Sequence, residues 1–332
     1  MALDRMGRPL RDLRVSVTDR CNFRCRYCMP RERFGKEHNF LPKSKILSYE
    51  EIQKFVFACK PLGLKKVRIT GGEPLLRRDL PKLVRLISSL ELEVALTTNG
   101  SLLSKQAKGL VESGLDRVTI SLDAIDQDLH SRITDSNVPV SDVLDGITEA
   151  TRRGLGPVKV NCVVQRGVNE SEIPKLVRHF RGTGVVVRFI EFMDVGRTNG
   201  WTPGQVVPTS EILDFLSKEF DLVPMKRVSP ADVASRWVHS DGSGEVGFIS
   251  SVSQPFCGDC VRARLSSDGK LFTCLFSTQG HDMFDFIRDN LDETELTDAI
   301  TEVWTRRSDR YSEERSSDAY SLPRVEMSYI GG

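Results

Sequence analysis

No run of apolar residues in this 332-residue sequence approaches the roughly 20 needed to cross a bilayer. Met1 to Arg14 interleaves Arg and Asp with short apolar residues and lacks the continuous apolar centre of a secretory signal, so a cytosolic location is expected. Neither sign of charge is in excess: Lys plus Arg number 47 against 46 Asp plus Glu. That balance argues against a general nucleic-acid or membrane-binding surface, and any anion site must be local. No G-x4-G-K-[ST] loop occurs, so a nucleotide would not be held as a P-loop holds one, and hydrolysis is not the expected chemistry. Eight cysteines in a reducing compartment do not predict a disulfide framework, which makes metal binding or catalysis the first question.

What is present is a repeating alternation of strand and helix. Leu13 to Thr18 is β-branched and alternating and runs directly into Cys21. Ser48 and Glu51 form a capping box ahead of a helix that stops near Pro61 and Gly63. Further strands are predicted at Val67–Thr70, Val94–Thr97, Arg117–Leu122, Val158–Val164 and Val185–Phe192, with helices at about 80–90, 104–112, 141–153 and 172–181. Six strands joined by helices require parallel pairing with crossovers. The predicted fold is therefore α/β, an incomplete (βα)6 TIM-like barrel, with a doubly wound sheet as the alternative. Its strand ends would form a polar rim above an apolar barrel, and chemistry collects at such ends. Beyond Trp201 the pattern breaks into one helix at about 210–219 and short Gly-, Ser- and Asp-rich segments. Residues 1–200 are expected to be the barrel, 201–305 a separate C-terminal module, and 306–332 a mobile polar strap with a Gly-Gly tail.

Cys21, Cys25 and Cys28 form C-x3-C-x2-C, a spacing that wraps three thiolates round one corner of a cubane cluster and leaves one iron open. A structural zinc site wants four ligands, and His38 is the only nearby candidate for a fourth. Cys257, Cys260 and Cys274 form C-x2-C-x13-C, again with no fourth cysteine, although His281 or Asp259 could complete a zinc ribbon. Cys59 and Cys162 read as small buried hydrophobes.

The first loop, with Tyr27 before its last cysteine, resembles the radical S-adenosylmethionine (SAM) signature, and Gly71-Gly72-Glu73-Pro74 resembles that family's second motif. Phe256 to Arg264 and Gly269 to Phe276 resemble the C-terminal motif of the GTP 3′,8-cyclases that begin molybdenum-cofactor biosynthesis, and the likeness runs from Leu13 to the terminal Gly-Gly. It implies two [4Fe-4S] clusters as cofactors, one on each cysteine triplet, the first chelating SAM and the second binding guanine. It implies contacts to SAM from Tyr27, Gly72, Glu73, Ser121 and Met193, and to GTP from Arg14, Arg68, Thr97, Lys159, Arg262 and Arg264. Paired glycines allow close approach of backbone to ligand, and Glu73 can pair with an ammonium group. Arg14, Arg68 and Lys159 also stand within otherwise apolar strands, where an unpaired charge is costly and calls for an anionic partner; that partner is either substrate or an Asp or Glu across the barrel.

The resemblance further implies a 5′-deoxyadenosyl radical that takes the C3′ hydrogen of GTP, and a Gly331-Gly332 tail that reaches into the active site. It implies a reducing electron donor, a homodimer, and a downstream cyclic pyranopterin monophosphate synthase that consumes the product. The alternatives are a radical SAM peptide or protein maturase and a non-catalytic zinc-binding module.

Overall fold

The structure is a computed structural model and describes residues 2–227, 232–288, 293–315 and 324–331. Six parallel strands, β1 (Asp12–Ser16), β2 (Lys66–Thr70), β3 (Glu93–Thr98), β4 (Arg117–Ser121), β5 (Lys159–Val164) and β6 (Val186–Glu191), pair in chain order. The helices between them are α1 (Tyr49–Cys59), α2 (Leu80–Ser88), α3 (Leu103–Glu112), α4 (Gln127–Thr134), α5 (Val140–Arg152) and α6 (Glu172–Phe180). The Ser48–Glu51 capping box is formed in both directions, and Gly63 closes the turn after α1 with a left-handed φ of 107°. Helix α4 lies in a stretch the periodicity leaves as loop; the Asp126 carboxylate caps it by accepting from Leu129 N–H at 2.8 Å.

The remaining strands do not form a body of their own. β7 (Leu222–Pro224), β8 (Ser235–His239) and β9 (Glu245–Ile249) follow α7 (Thr209–Ser217), and β9 lies parallel to β6. β10 (Arg262–Leu265), β11 (Lys270–Phe272) and β12 (His281–Asp282) extend the opposite edge, with β10 parallel to β1. The sheet thus runs β12-β11-β10-β1-β2-β3-β4-β5-β6-β9-β8-β7. Helices α8 (Phe284–Arg288) and α9 (Glu293–Thr305) lie beside α1, and Leu296, Ile300 and Trp304 join the same apolar core as Leu13, Val67 and Val160. The described residues of the C-terminal module thus extend the barrel's sheet at both edges and share its core. No helix among the described residues is long and apolar enough to cross a membrane.

Alternation decides what faces inward. Leu13 and Val15, Val67 and Ile69, Val118 and Ile120, and Val160 and Cys162 are buried in the apolar core, while Asp12, Arg14, Lys66, Arg68, Arg117, Thr119, Lys159, Asn161 and Arg188 line the barrel interior. An apolar barrel under a polar rim was expected; the interior is instead a cavity walled by charge.

Residues 306–315 are fixed, which corrects the expectation of a mobile strap for that part. Arg307 is buried, Tyr311 stacks on Phe276 with ring centroids 4.5 Å apart, and Glu313 accepts from Gly258 N–H at 3.0 Å. Residues 316–323 of the expected strap lie outside the described residues. After them comes α10 (Met327–Ile330).

Candidate functional site

A cavity of about 720 Å³ occupies the barrel, and both cysteine triplets line it. The first triplet leaves the end of β1 on a loop held by a carbonyl-binding arginine. Arg24 Nη1 donates to Cys21 O at 2.7 Å and to Phe23 O at 2.8 Å. The paired glycines do allow a close approach, but to this loop: a Cβ on Gly72 would stand 2.3 Å from Arg20 O, and one on Gly71 2.6 Å from Thr18 O. Gly72 and Glu73 N–H instead donate to Thr18 O at 2.7 Å and Arg20 O at 2.8 Å, fastening the loop to the end of β2.

Burial, then the negative charge of Glu73, raises the Cys21 thiol to about 11; burial and Cys21 raise Cys28 to about 12; burial and its two partner thiols push Cys25 well up. Phe23 N–H already points at Cys21 Sγ, 3.4 Å away. Three free thiols that destabilise one another's anions suit a polynuclear cation that would take all three as thiolates. This donor set fits a [4Fe-4S] cluster with one open iron.

The second triplet is free and lines the same cavity. Burial raises the Cys260 thiol, but the Arg262 and Arg307 guanidiniums outweigh it and bring the group down to about 6; burial raises Cys274 to about 12. Neither histidine proposed for a zinc site lines the cavity: His38 packs between Phe34 and Phe40, and His281 is exposed on β12. Asp259 is exposed as well.

Of the expected SAM contacts, Tyr27, Gly72, Ser121 and Met193 line the cavity beside the first triplet. Glu73 does not. It is fully buried, and its carboxylate accepts from Thr98 Oγ1 at 2.7 Å, Asn99 N at 2.7 Å and Leu75 N at 3.0 Å. Burial raises it to about 7 against those hydrogen bonds. Its place is under the ends of β2 and β3, where its carboxylate shapes the turn carrying Asn99 and is not part of the cavity wall. Tyr27 donates to Asp123 Oδ2 at 2.7 Å, and burial raises Asp123 to about 6.

Arg14, Arg68, Thr97, Lys159, Arg262 and Arg264 all line the cavity. Strand register puts Arg14 between Arg68 on β2 and Arg264 on β10. Burial and then neighbouring cations lower Arg14 well below its ordinary value, and lower Lys159 to about 8 and Arg264 to about 10. Among the described residues none of Arg14, Arg68, Lys159, Arg262 and Arg264 has an ion-pair partner; the carboxylates Asp12 and Glu93 pair with Lys66 and Arg117 instead. The Arg14 Nε is buried without a hydrogen bond. A cavity walled by mutually repelling guanidiniums is built for a polyanion.

Sequence reasoning missed Arg188, Lys66, Asn99 and Asp123. Arg188 sits in an otherwise apolar strand as Arg68 does, and that signal could have found it; burial and Arg68 lower it to about 10. Asn99 donates to Asn22 Oδ1 at 2.8 Å and points at Cys21 Sγ from 3.9 Å.

Gly331 is buried at the end of β2 with a left-handed φ of 77°, and its carbonyl accepts from Arg264 Nη1. A Cβ there would meet Thr70 Cγ2 at 2.5 Å. Gly332 lies outside the described residues. The segment before Gly331 is tied down by Asp194, which pairs with Arg324 at 2.7 Å and Arg315 at 3.0 Å and accepts from Tyr311 at 2.6 Å.

Residues 15–180 match the radical SAM superfamily, and residues 185–313 match Molybdenum Cofactor Synthesis C. The chain is 48% identical to a GTP 3′,8-cyclase of Acidothermus cellulolyticus, over 99% of this chain and 98% of that protein. It is 49% identical to one of Xanthomonas axonopodis pv. citri, again over 99% and 98%. In fold it is similar to Streptococcus suis SuiB bound to S-adenosylmethionine, with a TM-score of 0.64, 14% identity, and coverage of 94% of this chain and 72% of that one. With near-full-length identity of this order and both segments matched, the chain belongs to the GTP 3′,8-cyclase family of the radical SAM superfamily.

Proposed function

We propose that this chain converts GTP to (8S)-3′,8-cyclo-7,8-dihydroguanosine 5′-triphosphate, the first step of molybdenum-cofactor biosynthesis. The observation that carries the reading is the set of cavity cations without carboxylate partners, facing the same space as two cysteine triplets. Cys21, Cys25 and Cys28 would hold a [4Fe-4S] cluster that binds SAM, and Cys257, Cys260 and Cys274 a second [4Fe-4S] cluster on the guanine side. When bound, the first cluster and SAM supply the 5′-deoxyadenosyl radical that removes the C3′ hydrogen of GTP.

The chain's own part is placement. Arg14, Arg68, Lys159, Arg262 and Arg264, joined by Arg188, take the triphosphate charge, and Thr97 stands among them. Tyr27, Gly72, Ser121 and Met193 form the wall against SAM. The enclosing barrel keeps water from the ribose while C3′ and guanine C8 are held within bonding reach. The Gly331-Gly332 tail, whose Gly331 carbonyl accepts from Arg264, would reach into the active site and support catalysis. An external reductant must supply the electrons, a downstream cyclic pyranopterin monophosphate synthase would consume the product, and the working form is read as a homodimer.

The test is the yield of 5′-deoxyadenosine from anaerobically reconstituted protein with and without GTP. A GTP-dependent yield together with the cyclised nucleotide is expected. Cleavage of SAM that GTP does not affect would favour a peptide or protein substrate instead.

A further inference from the structure

Two arginines that are not among the residues lining the cavity hold the backbone of the second cysteine triplet. Arg8 is 3% exposed and Arg307 4%. Arg8 Nη1 donates to Cys257 O at 2.6 Å and to Asp309 O at 3.0 Å; Arg307 Nη1 donates to Cys260 O at 2.7 Å. Both guanidiniums share one fully buried carboxylate, Asp4, at 2.6 Å from Arg8 and 3.3 Å from Arg307. The other carboxylate near Arg307, Asp309 at 3.2 Å, is partly open to solvent. Arg8 Nη2 is buried with no hydrogen-bond partner among the described residues.

Two buried guanidiniums meet one fully buried carboxylate, Asp4, and one that solvent screens, Asp309, so the positive charge they direct at the cysteine carbonyls is costly in a low-dielectric place unless further negative charge stands nearby. A neutral amide would satisfy the two cysteine carbonyls without that cost. A cubane cluster on three thiolates carries net negative charge, and one added electron increases it. We propose that Arg8 and Arg307, with Asp4 between them, form a cationic seat that stabilises the reduced state of an iron–sulfur cluster on Cys257, Cys260 and Cys274. The inference rests on reading that triplet as cluster ligands. In the redox step the cluster takes one electron from an external reductant and no protein bond is made or broken.

The experiment uses the full-length chain with Cys21, Cys25 and Cys28 all changed to Ser, so that only the second site can hold a cluster. Iron and sulfide are counted after anaerobic reconstitution, and the site is titrated potentiometrically with dithionite while its electron paramagnetic resonance signal is followed. Arg307→Gln is expected to shift the potential negative by at least tenfold in the reduction equilibrium, 59 mV for one electron. Arg307→Lys is expected to recover most of that shift, and Asp4→Asn to move the potential the opposite way. Unmoved potentials in Arg307→Gln and Asp4→Asn, with iron and sulfide retained, overturn the seat while leaving the cluster reading in place. No iron or sulfide in the parent overturns the cluster reading and the seat with it. Should Arg307→Gln fail to fold, Asp4→Asn decides: a positive shift supports the seat and no shift overturns it.

Discussion

The two cysteine triplets offer the same number of thiols to the same cavity, but their charged neighbours differ. Around the first, burial, the partner thiols and the carboxylates of Glu73, Asp123 and Glu326 push the thiols up, and Arg24 is the one cation that pulls down, beside hydrogen bonds to Cys21 from Phe23 and Asn99. Around the second, Arg262 and Arg307 pull Cys260 down to about 6, with Asp309 as the opposing charge on Cys274. The carboxylates around the first triplet disfavour added negative charge, and the guanidiniums beside Cys260 favour it. Equal ligand counts therefore do not imply equal roles: the first surroundings suit a site that gives up an electron readily, the second a site that tolerates negative charge beside an anionic substrate.

The sharpest way to break that comparison is to remove one triplet at a time. Cys25→Ser should abolish cleavage of SAM outright, whereas Cys260→Ser should leave slow SAM cleavage and lose the cyclised product. Quantifying 5′-deoxyadenosine and cyclised nucleotide separately checks this, and identical losses in both variants would show the two sites to be one functional unit. Arg264→Ala, on the cationic side, should weaken GTP by about 1.5–3 kcal/mol, roughly 10- to 150-fold in Kd, with SAM affinity unchanged in a paired titration.

Gly331→Ala probes the tail that rests on the same arginine. Its positive φ and the Thr70 contact disfavour seating by about 1–2 kcal/mol, a factor of about 5–30. Cyclisation should fall accordingly while both iron contents and the unfolding temperature stay at wild-type values. The smallest effect is in pH. Burial and neighbouring cations hold Lys159 at about 8, so a bound triphosphate, which favours the charged amine, must recruit a proton above that pH. GTP affinity should be level from pH 7 to about 8 and then fall by up to about tenfold per unit. Lys159→Met should bind more weakly below pH 8 and lose the fall, and a Kd profile from pH 7 to 9.5 would reveal either.

Much of this was readable before any coordinates. Charges at alternate positions of β-branched strands, as in Lys66-Val67-Arg68-Ile69, separate a charged from an apolar face, but the alternation does not say which face turns inward, and the apolar face was expected inside the barrel where the structure puts the charged one. The cysteine spacing marked both triplets. What resisted reading was set by turns and by distance. Whether Glu73 faces a ligand or the strand ends depends on the turn after β2, not on its neighbours' identities. The Asp4, Arg8 and Arg307 cluster joins the two ends of the chain, so no local pattern announces it. Arg188 was legible and overlooked.

The pairing of β1 with β10 has a consequence for synthesis. The outer edge of β1 has no partner until residues about 250 positions later are made, tens of seconds at roughly 5–20 residues per second. Until then the nascent chain carries an open, aggregation-competent strand edge. Chaperone protection of that edge should limit how much enzyme a cell accumulates, and a ribosome stalled before Arg262 should hold an incomplete chain that binds strand-mimicking peptides along β1.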